Sequence, residues 1–282
     1  MGIALQSTTP AGREGLAAVL ADPAGAVLAL DFDGTLAPIV ADPEQAYAHP
    51  AAAAALARLA PLVNTVAVVT GRPVRSAVRL GGFDRLPGLE RLVVLGHYGA
   101  ERWEAGELTA PEIHPGVVAV RAELPALLAA LPAPEGSRIE DKERSIAVHT
   151  RQAADPQAAL ELLRAPLAEL AAGHGLAVEP GRFVLELRPP GVDKGAALTG
   201  LLRERGARSV LYAGDDLGDL AAYAAVEKLR AEALPGLLVA SGPVTGEPPV
   251  REIAERADLV VPGPAGVVEL LELLGQALSS AS

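Results

Sequence analysis

The sequence predicts an α/β protein, with a doubly wound, mostly parallel sheet as core and an inserted α+β unit. Three observations carry that expectation. Short apolar runs alternate with Ala- and Leu-rich helical segments, as a doubly wound sheet requires. Half of the 282 residues are hydrophobic but only 3% are aromatic, which favours helices packed on buried strands over an aromatic-lined groove. Between residues 108 and 188 the texture changes to helix, two strands, helix, two strands, the pattern of a small antiparallel sheet with two helices of its own.

Taken in order, the first twenty residues read as a mobile start and a short helix from Glu14 to Leu20. The run Ala26–Leu30 is continuously apolar and reads as a buried strand. Ala51–Ala55 is low in complexity but helix-forming. Thr65–Thr70 and Arg91–Leu95 supply the second and third core strands. In the insert, a helix near Val117–Leu131 precedes strand-like runs at Ser137–Glu140 and Ile146–Thr150. A helix from Pro156 to about Ala172 and runs at Leu176–Val178 and Phe183–Leu187 complete it. Val210–Ala213, Leu237–Ala240 and Leu259–Val261 return to the core, and the Ser/Ala tail after Leu278 is expected to fray. Two core segments, 1–107 and 189–282, therefore flank a cap-like insert at 108–188. This length suits one large or two small domains.

Composition excludes several classes of function. A formal net charge of −11, with no block of Lys or Arg, argues against nucleic acid or an anionic membrane as main partner. The absence of cysteine removes disulfides, thiolate metal sites and a thiol nucleophile. No apolar run approaches the roughly 20 residues of a membrane span, and no secretory leader is evident. A cytoplasmic monomer acting on a small molecule is the expectation.

The chemistry begins at Asp31-Phe32-Asp33-Gly34-Thr35, just past the first strand. Alternate residues of an extended chain share a side, so both carboxylates can face one site at the carboxyl end of a parallel sheet. One can attack phosphorus while the other protonates the leaving oxygen and later deprotonates water. Gly34 lets the backbone approach a phosphate. An Asp-Gly turn that merely closes a strand is the alternative for this stretch alone. Thr70-Gly71-Arg72 ends the second strand with a hydroxyl suited to a phosphate oxygen, or to capping a helix. Asp193-Lys194-Gly195 opens a helix with an ammonium that can pair with phosphate and with a carboxylate, or simply lie behind an Asp cap. Gly214-Asp215-Asp216-Leu217-Gly218-Asp219 crowds three acids after a buried strand, and such oxygens suit Mg²⁺. Asp215 is the expected direct ligand, and Asp216 orients Lys194 or a metal-bound water. Asp219 either supports the site or is a favourable charge in a first helical turn.

In this order the set resembles the haloacid dehalogenase superfamily of phosphotransferases. Asp33 and Thr35 are similar to its phosphatase branch. The resemblance implies Asp31 as nucleophile and Asp33 as acid/base with its carbonyl on Mg²⁺. It also implies Thr70 and Lys194 as phosphate holders, and Asp31 and Asp215 as metal side chains. Gly34, Thr35 and Arg72 stand on the substrate side. The stretches Leu36-Ala37-Pro38-Ile39, Glu140-Asp141-Lys142-Glu143-Arg144-Ser145 and Glu186-Leu187-Arg188-Pro189-Pro190-Gly191 narrow the resemblance to the trehalose-6-phosphate phosphatases. That family implies a sugar-phosphate substrate, with Glu140, Lys142, Ser145 and Glu186 as the hydroxyl-binding groups by which an otherwise uncharged disaccharide is told from others. Two stretches depart from its pattern, Gly96-His97-Tyr98-Gly99 and Gly218-Asp219-Leu220. Another capped sugar-phosphate phosphatase and a non-catalytic sugar-phosphate-binding regulator are the alternatives. His49, His114 and His174 have no partner visible in the sequence.

Overall fold

Residues 7–131, 135–181, 183–243 and 250–281 are described by the computed structural model. Thr9 accepts a hydrogen bond from Gly12 N and so opens α1 (Pro10–Ala21), several residues before the expected start. Then follow β1 (Ala26–Leu30), α2 (Ala52–Leu59), β2 (Thr65–Val69), α3 (Val74–Gly81) and β3 (Val93–Gly96). A hairpin of β4 (Glu101–Glu104) and β5 (Glu107–Thr109) extends the sheet. The inserted segment forms α4 (Pro115–Ala130), β6 (Arg138–Asp141), β7 (Ile146–His149), α5 (Pro156–Gly173), β8 (Ala177–Gly181) and β9 (Val184–Arg188). The chain returns through α6 (Lys194–Glu204), β10 (Ser209–Gly214), α7 (Leu220–Ala231), β11 (Gly236–Gly242), α8 (Arg251–Ala254), β12 (Leu259–Pro262) and α9 (Gly263–Ala281).

The larger sheet has the order β12-β11-β10-β1-β2-β3-β4-β5. Its pairs from β12 through β3 are parallel, and β4 and β5 join antiparallel at the edge. Both faces are covered, which is why these strands read as unbroken apolar runs. Leu28, Leu30, Val66 and Val68 face one core cluster, while Val27, Ala29, Ala67 and Val69 face the other. The chain runs outward from β1 to β2 and β3, then resumes on β1's other side with β10. Such a reversal of strand order leaves a crevice at the carboxyl ends of β10, β1 and β2.

The smaller sheet, β6-β7-β9-β8, is wholly antiparallel. Ile146, Val148, Leu185 and Leu187 on one of its faces pack with Val117, Val120, Leu163 and Leu167 from α4 and α5. The chain divides into two compact units, Met1–Ala110 with Asp193–Ser282 and Pro111–Val192. The first boundary lies a few residues beyond the expected 107/108 because β5 pairs with β4 in the larger sheet, and the second falls after Val192 rather than at 188/189.

Two expectations are corrected. The hairpin β4–β5 was not foreseen, although Ala105 (φ 51°) and Gly106 (φ 83°) make the left-handed pair of a two-residue hairpin turn. The tail after Leu278, expected to fray, is helical instead. Helix α9 continues to Ala281, with Leu270, Leu271, Leu274 and Leu278 buried along one side. Among the described residues, no helix is long and apolar enough to cross a membrane.

Candidate active site

Because β10, β1 and β2 are adjacent, their carboxyl ends carry Asp215, Asp31 and Thr70 side by side, with strands spaced about 4.8 Å apart. Asp31 N–H still donates to Ala213 O (2.8 Å), so the ladder holds to the first acid. Beyond it the chain turns tightly, with Leu36 N and Ala37 N both donating to Phe32 O. Gly34 adopts φ 74°, and a Cβ there would lie 2.0 Å from Asp215 Oδ2. Only glycine allows that approach. Ser241 at the end of β11 fixes the turn by donating to Gly34 O (2.6 Å).

Asp193 caps α6 by accepting from Ala196 N (2.8 Å), which starts the helix at Lys194 and points its ammonium inward. Lys194 Nζ lies 2.7 Å from Asp31 Oδ1 and 2.8 Å from Asp219 Oδ1. Burial alone would lower its pKa, but Asp219 and Asp31 outweigh that and push it well up, so Lys194 stays charged. Asp31 Oδ2 accepts no hydrogen bond among the described residues, which leaves it as the oxygen able to attack.

Asp219 was left undecided by sequence and is the anchor of this cluster. It is fully buried and accepts from Lys194 Nζ, from Tyr212 OH (2.6 Å), and from Asp215 N (2.9 Å) and Asp216 N (3.2 Å). A carboxylate offers about four lone-pair directions, so Asp219 has no capacity left for a cation. Tyr212, also missed, could have been suspected as a phenol inside an otherwise apolar strand, because a buried hydroxyl seeks a partner. Asp216 caps the turn that follows, accepting from Gly218 N (2.9 Å).

Oxygens of Asp31, Asp215 and Asp219 lie within 4.8 Å of one another. Asp215 Oδ1 is buried without a hydrogen-bond partner among the described residues. Burial and the neighbouring Asp31 push the Asp215 carboxyl up to about 10, while burial and the neighbouring Asp219 raise Asp31 and Asp216. Four acids around one ammonium call for a cation, and the orphaned Asp215 oxygen marks its place. The donor set is all oxygen and suits a hard divalent ion such as Mg²⁺. With Asp219 saturated, Asp31 and Asp215 are the side chains that fit it.

Thr70 is buried, and its hydroxyl accepts from Arg72 N (3.1 Å). The Thr70-Gly71-Arg72 turn is held from behind by a second one, with Tyr98 N donating to Thr70 O and His97 N to Arg72 O, both at 2.9 Å. His97 (φ 47°) and Tyr98 (φ 58°) are both left-handed, a strain that persists only where the surroundings enforce it. This is the stretch that departs from the family pattern. Arg72 was expected on the substrate side, but here its Nε and a terminal nitrogen grip both oxygens of Asp33 at 2.6 and 2.7 Å. Thr35 is fully buried with its hydroxyl unpartnered among the described residues.

The remaining expected residues belong to the smaller unit, Glu140 and Glu186 on its strands and Lys142 and Ser145 in the turn between β6 and β7. Glu140 and Glu186 stand in one row across the smaller sheet, on either side of Ala147. Glu186 accepts from Lys142 Nζ (3.1 Å) and from Ser145 Oγ (2.5 Å). Burial would raise its pKa, but Lys142 and Ser145 bring it below the usual carboxylate value. Glu140 pairs with His149 (2.7 Å), and that bond lowers its pKa. The other histidines have local duties. His49 and His114 accept backbone N–H groups at helix starts, and His174 pairs with Glu123 (3.1 Å).

A family model described as trehalose-phosphatase matches residues 29–252. A probable trehalose-phosphate phosphatase of Sinorhizobium fredii is 32% identical over 236 residues, covering 82% of this chain and 83% of that protein. The trehalose-6-phosphate phosphatase of Escherichia coli is 30% identical over 204 residues, covering 71% and 73%. The fold is shared with a structure of Aspergillus fumigatus trehalose-6-phosphate phosphatase, with TM-score 0.65, 23% identity, and coverage of 93% of this chain and 97% of that one.

Proposed function

The chain belongs to the trehalose-phosphatase family, and from that premise we propose that it hydrolyses trehalose 6-phosphate to trehalose and inorganic phosphate, as a cytoplasmic monomer using Mg²⁺. One observation carries the chemical part, the buried Asp31 carboxylate held through one oxygen by Lys194 with its other oxygen unengaged. In the proposed reaction Asp31 Oδ2 bonds to phosphorus as the bond from phosphorus to the sugar oxygen breaks. Asp33 gives that oxygen its proton, then takes one from the water that splits the aspartyl-phosphate. Lys194 and the Thr70 hydroxyl donate to the phosphate oxygens. A bound Mg²⁺ would supply positive charge between carboxylates and phosphate. In the structure Arg72 grips both oxygens of Asp33, so in each turnover Asp33 leaves Arg72, takes a proton from solvent water and turns to the leaving oxygen. The test is phosphate release from a panel of sugar phosphates, with and without Mg²⁺. Equal rates on every member would remove the trehalose assignment but not the phosphatase one.

The cation requirement has a readout apart from activity. The folded-state pKa of Asp215 is raised, so its contribution to stability is complete below the ordinary carboxylate value and is lost as pH rises toward about 10. Chelated protein should therefore melt lower at about pH 9 than at about pH 6, and Mg²⁺ should flatten that slope. Activity should vanish with chelator, and Ca²⁺ should inhibit, because its longer and looser coordination misplaces nucleophile and phosphate. Full turnover after exhaustive chelation would remove the metal from the mechanism.

Sugar selectivity is assigned to Glu140, Lys142, Ser145 and Glu186. Glu140→Ala should cut kcat/KM for trehalose 6-phosphate at least about tenfold, about 1.4 kcal/mol, and leave a small aryl phosphate unchanged, since that ester has no sugar to hold. Lys142→Ala should do the same but with some loss of stability, because it strips buried Glu186 of one partner. If both substrates slow equally, these residues act through folding; if neither slows, the sugar assignment fails.

A further inference from the structure

A cavity of about 870 Å³ opens on the larger unit between α3, residues 83–90 and the β4–β5 hairpin. None of its lining residues is among those assigned above to phosphate, metal or sugar, and its volume is that of a small-molecule site. Its lining combines cationic and apolar side chains. Arg75 and Arg79 are four residues apart, hence on one face of α3, and both line it. Arg75 makes no ion pair or hydrogen bond among the described residues. Among the described residues Arg79 pairs only with exposed Glu44, a contact of little strength that a ligand can replace. Two like charges at this spacing repel unless an anion lies over them. The acids of the lining do not cancel them. Asp84 lies 3.9 Å from Arg85, and both Glu90 oxygens accept Gly88 N (3.1 and 3.0 Å). Trp103, Phe83 and Leu108 supply apolar lining.

We propose that this cavity binds a small anion bearing a planar ring, of the size of a nucleoside monophosphate, with the ring on Trp103 and the phosphate on Arg75 and Arg79. An aromatic face and paired guanidiniums are complementary to such a ligand.

Trp103 is the only tryptophan, so its fluorescence reports on the cavity directly. The full-length protein is titrated with adenosine 5′-monophosphate, with adenosine and inorganic phosphate as the uncharged and ringless controls. The nucleotide should quench Trp103 saturably, while neither control matches it. Arg75→Glu with Arg79→Glu should weaken the affinity at least about tenfold, the effect expected for lost charge-assisted hydrogen bonds, and leave turnover of trehalose 6-phosphate unchanged. Orthovanadate in the phosphatase site should leave the quench intact. The proposal is overturned if adenosine binds as well as its phosphate, if charge reversal leaves the affinity unaltered, or if vanadate abolishes the quench. The last result would place the nucleotide in the phosphatase site, and none of the three would bear on the phosphatase reading itself.

Discussion

Asp31→Asn should lower phosphate release by roughly 10⁴-fold or more, for both sugar and aryl esters, while the protein stays folded. The substitution keeps the shape and an oxygen able to accept from Lys194, whose charge is still met by Asp219 at 2.8 Å. What is lost is the anionic oxygen that attacks phosphorus. Stability should not suffer, because burial and the neighbouring acids already disfavour the Asp31 charge in the absence of a cation. The measurement is phosphate release by pure variant beside its urea midpoint. Turnover within about tenfold of the parent, at unchanged stability, would sink the covalent route and leave Asp31 as a ligand only.

Much of the fold was legible because five of its strands are buried throughout and, with β12 at the edge, stand out as short apolar runs against polar helix surfaces. The hairpin at residues 101–109 was not. Arg102 and Glu104 alternate around Trp103 at the sheet's edge, where half-exposed strands look like loops, and the turn uses Ala105 rather than Asn or Asp. The extent of α9 was hidden for a different reason. Helix propensity at a Ser/Ala terminus is indecisive, and the burial of Leu278 decides it.

The site divides in the same way. Residues at strand ends were readable, since a parallel sheet fixes where the carboxyl ends of β10, β1 and β2 lie. Pairings made by long side chains were not. Nothing in the spacing of residues 33 and 72 says that Arg72 faces Asp33 instead of solvent or substrate, and its conformation is set by packing over Phe32, 5.6 Å from the ring centre. Nor does a sequence reveal that two consecutive non-glycine residues, His97 and Tyr98, take left-handed backbone to brace the Thr70 turn. Such strain is a property of tertiary contacts.

Asp219→Asn is the sharper test of how the site is built, because an acid opening a helical turn ordinarily counts only as a favourable charge near the dipole. Here its four bonds tie Lys194, Tyr212 and the backbone of Asp215 and Asp216 to one buried group. Two effects oppose each other. Removing the charge relieves repulsion felt by Asp31 and Asp215, but it also strips the direct partner from a buried ammonium and sets an amide N–H₂ against donors. Direct hydrogen bonds at 2.6 to 2.9 Å to buried donors outweigh the relief of repulsion between like charges, so loss should win, by about 3 kcal/mol in chemical denaturation. Tyr212→Phe removes a single neutral donor and should cost only about 1 kcal/mol. Released from Asp219, Lys194 would lean wholly on Asp31 Oδ1, and the Asp215 loop would lose the acceptor that orients two of its amides. A fall in kcat of roughly 10²-fold should follow, equal for sugar and aryl phosphates, as for loss of one preorganised electrostatic group. If Asp219→Asn is as stable as Tyr212→Phe and turns over normally, then Asp31 alone suffices to hold Lys194, and Asp219 returns to being a charge at a helix start.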